Sequence, residues 1–107
     1  MGVNAIEIYR KNSKTIVCTV SGLDDLDGYT GTLIAKVNKE DTTAVITKIG
    51  SIEGLVITFV LTPTLTDVPY KIYHYDVVIV NPPEGEEDPI EYTIVQDLLE
   101  IKKSVSN

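Results

Sequence analysis

The stretch SGLDDLDGYTG, Ser21 to Gly31, sets Asp24, Asp25 and Asp27 among Gly22, Gly28 and Gly31. These are the residue types of a calcium loop. Such a loop needs oxygen ligands at its positions 1, 3 and 5, a glycine at 6 and a bidentate glutamate at 12. Counted from Asp25, position 5 is Tyr29 and position 12 is Lys36; counted from Asp24, position 3 is Leu26. Neither register supplies the ligands. The pattern instead predicts a turn capped by the aspartates, with Gly28 giving backbone freedom and Leu26 packing back on the core.

His74 is the sole histidine, and Asp76 follows it two residues on. On a strand, that spacing puts both on one face. One imidazole and one carboxylate fall short of a typical metal site, and no nucleophile is tied to them by spacing. Cys18, the sole cysteine, lies on an apolar row without an adjacent activating base, so it reads as a small core side chain. The acids Glu84, Glu86, Glu87, Asp88 and Glu91 crowd one loop, which suits solvation first, or else weak calcium binding or a basic partner. A phosphate-binding glycine loop and a serine elbow are both lacking. The expectation is no catalytic residue, no cofactor and no metal.

The segments that carry these residues read as strands. Apolar residues alternate at period two in segments rich in Val, Ile, Thr and Tyr, and no stretch keeps helical spacing. The predicted strands are Ala5–Arg10, Lys14–Ser21, Thr32–Asn38, Ala44–Ile49, Gly54–Leu61, Lys71–Val80 and Ile90–Lys103. About seven strands at this spacing predict an all-β sandwich. Its core rows are Ile16, Cys18 and Val20, then Leu33, Ala35 and Val37, then Leu55, Ile57, Phe59 and Leu61. In the sixth strand Tyr73, Tyr75, Val77 and Ile79 oppose Ile72, His74, Asp76, Val78 and Val80. Being apolar on both sides near its end, this is a central strand or a contact surface. The last strand slips phase near Gln96 and Asp97, which calls for a β-bulge.

KNSK and GSIEG read as short polar turns. Thr62 before Pro63 resembles a helix cap, so one short helical turn is expected before Pro69. Asn81 to Pro89 reads as a long acidic hairpin loop.

The 107 residues make one domain, 1–107, large enough for a core without staples. A single cysteine leaves no disulfide framework. The net charge of −7 repels nucleic acid and anionic membrane, so neither is an expected partner. No apolar run approaches the length of a membrane span, and MGVNAIEIYR lacks the layout of a secretion signal, which points to synthesis in the cytoplasm.

Taken in order, IEIYR with SKTI, GLDDLDGYT, ITFVLTPTLTDVP, YHYDVVI and EYTIVQDLLEIKK resemble a known family. It is the immunoglobulin-like domain found at the N-terminus of the upper baseplate protein of lactococcal bacteriophages and in related small phage virion proteins. The resemblance runs over nearly the whole chain. Its most specific parts are the turn at Asp25 to Tyr29, the Thr66 and Pro69 anchors, and Tyr73 to Asp76. The family often has glycine-aspartate where this chain has Lys11 and Asn12, and glycine where it has Lys71.

The resemblance implies an immunoglobulin-like antiparallel β-sandwich. It also implies a virion structural protein, made in the host cytoplasm, that docks a fibre, baseplate, neck or capsid decoration. Its partners would be other virion proteins, in a homo-oligomer or symmetric assembly. The contacts expected are Ile72, His74, Asp76 and Val78 on the sixth strand and Glu84, Glu86, Glu87 and Asp88 in the acidic loop. The alternative is a module that holds a glycan or receptor, for which Tyr29 and Tyr70 are the main loop aromatics.

Overall fold

The computed structural model describes residues 5–81 and 90–103. Among these residues eight strands are formed: β1 (Ile6–Tyr9), β2 (Lys14–Thr19), β3 (Thr30–Lys36), β4 (Ile46–Ile49), β5 (Ser51–Glu53), β6 (Val56–Leu61), β7 (Lys71–Asn81) and β8 (Ile90–Lys102). They make two sheets, one in the order β1-β8-β7-β3-β4 and one in the order β2-β6-β5. The pairing of β1 with β8 is parallel and the other pairings are antiparallel. The result is an all-β, two-layer arrangement, the sandwich that the alternating sequence predicts.

Period-two burial shows how the layers close. On β7, Tyr73, Tyr75, Val77 and Ile79 are buried. They share the core with Leu33 and Ala35 of β3, Leu99 and Ile101 of β8, and Ile8 of β1. The second layer supplies Ile57, Phe59 and Leu61 of β6, along with Val20. Each large apolar side chain sealed this way contributes roughly 1.5–3 kcal/mol. Val37, Leu55, Ile16 and Cys18, read from sequence as core, are only partly buried against it.

Two sequence expectations are corrected. GSIEG is not merely a turn, because β5 runs through it: Ile52 pairs with Ile57 and packs on the core, though three residues are too few to register as a period. The phase slip of the last strand lies at Ile94 rather than near Gln96 and Asp97. Val77 pairs with Val95 but Val78 pairs with Thr93, leaving Ile94 as the extra residue. No helix forms among the described residues. Where the helical turn was expected, the Thr66 N–H donates to the Thr62 carbonyl (3.1 Å) and the Leu65 N–H to Thr62 Oγ1 (3.4 Å), making a hydrogen-bonded turn.

That turn is tied down from both ends. Thr66 is fully buried, and its hydroxyl donates to the Asn12 carbonyl at 2.8 Å. The Tyr73 hydroxyl donates back to the Pro69 carbonyl at 2.7 Å. Outside, Arg10 bridges to Asp67 at 2.8 Å and lies over the Tyr70 ring at 5.3 Å. The first strand is thereby pinned to the connection between β6 and β7.

The opening aspartate stretch is a turn. Asp25 Oδ1 accepts the Asp27 N–H at 3.0 Å, the Tyr29 N–H donates to the Leu26 carbonyl at 3.0 Å, and Leu26 is buried. Gly28 sits at φ 82°, where a side chain is disfavoured.

Candidate functional site

β7 lies at the centre of the large sheet, so its outward residues sit between those of β3 and β8. Register assembles them in rows. His74 stands between Lys36 and Leu98, Asp76 between Ile34 and Gln96, and Val78 between Thr32 and Thr93. Ile72 lies opposite Glu100, which is in turn opposite Glu7. β4 extends the face with Thr47 beside Ile34 and Ile49 beside Thr32.

The four strand residues singled out by sequence therefore fall on one continuous outer face. It is mixed in character. Ile72 is 54% exposed, Ile49 64% and Leu98 38%, while His74, Asp76 and Val78 are half-buried among their neighbours. The other four, Glu84, Glu86, Glu87 and Asp88, lie outside the described residues.

His74 and Asp76 share a shallow depression with Ile34, Lys36 and Lys39, of about 50 Å³. Substrate pockets run to about 300–1,000 Å³. What the arrangement offers is a sheet surface of apolar side chains interleaved with charges of both signs, suited to a complementary protein surface. Ile34, Lys36, Ile49 and Leu98 were missed from sequence because their proximity to β7 arises from strand pairing, which no single strand reveals. Among the described residues no group of three or more His, Cys, Asp and Glu side chains is placed to hold a metal ion.

A second feature opens between the two layers on the β2 side. This groove, of about 360 Å³, has Ile16 and Cys18 on one wall and Tyr75, Val77, Ile94 and Val95 on the other. Burial pushes the Cys18 thiol up from its ordinary range. The Tyr75 phenol is pushed up to about 12, by burial first and then by the neighbouring Asp97 and Cys18. Both are in their neutral forms at pH 7, so Cys18 is a poor nucleophile there.

The loop aromatics are committed elsewhere. Tyr29 packs partly buried against the core, and one face of Tyr70 is taken by Arg10. Tyr70 is nonetheless 42% exposed.

Comparison with family models, curated proteins and solved structures finds no match to this chain.

Proposed function

We propose that this chain is an immunoglobulin-like structural module of a bacteriophage particle, acting by protein–protein contact without catalysis or a cofactor. The immunoglobulin-like reading is supported by the strand order of the two sheets and by the parallel pairing of the first strand with the last. It is supported too by the Tyr73 hydroxyl reaching back to Pro69, which has the form of a tyrosine corner. On this reading the Thr62–Asp67 segment is the single helical turn that crosses the end of the sandwich. The virion role rests on the sequence resemblance to phage baseplate and related virion domains.

The observation that carries the contact role is the outer face of the large sheet. Ile72, His74, Asp76 and Val78 lie there beside exposed Ile49 and Leu98, an apolar and charged mixture on a rigid central strand. A docking face of this kind holds its partner through a few apolar anchors and sets register by charge.

The test adds purified protein to particles depleted of it and measures co-sedimentation. Wild-type protein binds. A double variant, Ile72→Asp with Leu98→Asp, loses affinity about tenfold or more, since each removes an exposed apolar anchor. It keeps its fold, because neither side chain is in the core. Equal binding by the folded double variant contradicts the assignment of this face. Charge reversal at Glu86 and Glu87 probes the acidic loop separately, and unchanged binding removes the loop from the contact.

A further inference from the structure

Four strands form sheet margins among the described residues: β1 and β4 in the large sheet, β2 and β5 in the small one. A free margin presents unpaired backbone groups, and proteins blunt such margins with short strands, inward-pointing charges or bulges. Three of the four are blunted. β5 has three residues and ends in Glu53. β4 carries Lys48 on its core-facing side, opposite Leu33. β1 has four residues, and its Glu7 is engaged by Lys102 at 3.4 Å.

β2 is guarded only at its end, where Lys14 lies on the core-facing row opposite Leu61. Its six residues, KTIVCT, pair with β6 without a register break, and their one charge is Lys14 at the first position. Val17 at its centre is 62% exposed. Next to β2, the interlayer groove leaves Ile16 and Cys18 incompletely covered.

We propose that β2 pairs antiparallel with β2 of a second copy, about a twofold axis at Val17, joining the two small sheets into one continuous sheet. Backbone alternation supports this register. The Val20 N–H donates to Leu55 across the β6 side, so along the strand Thr15, Val17 and Thr19 turn their N–H and C=O groups to the free side. With the axis at Val17, Thr15 faces Thr19 of the second copy and Val17 faces its counterpart, each opposed pair exchanging both backbone bonds. Ile16 then faces the second copy's Cys18 on the core side, extending the apolar layer over the groove.

The occupant is a second copy because the strand is complementary to itself and because of charge. Two molecules of net charge −7 repel over most of their surfaces. Along β2, as along the shorter β4, there is no acid and one lysine, so two copies can align along this six-residue margin without opposing acids. An isologous contact of this kind uses up the margin and closes the assembly as a dimer. It lies on the small sheet, away from the outer face of the large one, and does not depend on the virion reading.

The experiment is sedimentation equilibrium of the intact chain over a wide concentration range, with amide hydrogen exchange read residue by residue. The expected species has twice the 11.8 kDa chain mass, with slow exchange at Thr15, Val17 and Thr19. Val17→Lys opposes two like charges at the axis and raises the dimer Kd about a hundredfold, frees those amides, and leaves the circular dichroism and melting temperature of the monomer unchanged. Val17→Thr, uncharged and strand-favouring, keeps the dimer. A monomer at every concentration would overturn the proposal. So would growth beyond a dimer, a dimer that persists in Val17→Lys, or a dimer whose Thr15, Val17 and Thr19 amides exchange rapidly.

Discussion

Lys11 holds a left-handed backbone at φ 64°, the one non-glycine residue to do so among those described. For a residue with a Cβ this costs about 1–2 kcal/mol. The turn is maintained by the Asn12 N–H on the Tyr9 carbonyl (3.0 Å) and the buried Thr66 hydroxyl on the Asn12 carbonyl. Lys11→Gly relieves the strain while making the unfolded chain more flexible, so a net gain of about 0.5–1 kcal/mol is expected, checked by urea unfolding. A lower midpoint would show that the turn is not strained by its side chain. Tyr75 makes a second residue-scale prediction. Its folded pKa of about 12 stands above the ordinary value of 10, so the folded state keeps a proton that the unfolded state loses in between. That stability is fully present below pH 10 and is lost as pH rises through 12. Unfolding free energy measured from pH 9 upward falls through this window, and Tyr75→Phe makes the fall shallower.

At the scale of elements, the critical joint is Gly50, where the chain leaves the large sheet as β4 and enters the small one as β5. A Cβ there would sit 2.6 Å from Ile57 Cγ2 and 2.8 Å from Phe59 Cε1, both belonging to fully buried side chains. Gly50→Ala therefore overpacks the core at the crossing and lowers stability by about 1–3 kcal/mol, measured by chemical denaturation. An unchanged midpoint would mean that the layers separate there without penalty. Elements of this length were unevenly legible. Long strands showed themselves, because alternation over Lys71–Val80 put the tyrosines on one face and His74 and Asp76 on the other, and the fold turns the tyrosine face inward. β5 did not, since three residues carry no period. The bulge was visible as a mismatch between Tyr92 and Leu99, but any residue between them could absorb it, and pairing with β7 selects Ile94. The same limit hid half of the outer face. A sequence tells which side of its own strand His74 occupies, but Lys36 and Leu98 come beside it only through register.

For the whole molecule, the two layers, the buried tie between Thr66 and Asn12, and the Tyr73 hydrogen bond to Pro69 hold together a body whose exposed surfaces include its outer sheet face and its margins. Nothing in its shallow His74 and Asp76 depression approaches a substrate pocket in size. In the proposed reading the molecule works in assembly by contact, with the large-sheet face meeting other virion proteins. The measurement that tests this most directly is immunogold electron microscopy of phage particles purified from a lysate that contains the protein, using antibody raised against the folded domain. Gold confined to one structure, at the head, neck or tail tip, is the predicted result and names the docking position. Unlabelled particles, with the epitope shown to be accessible by an added tagged copy, would contradict the virion assignment.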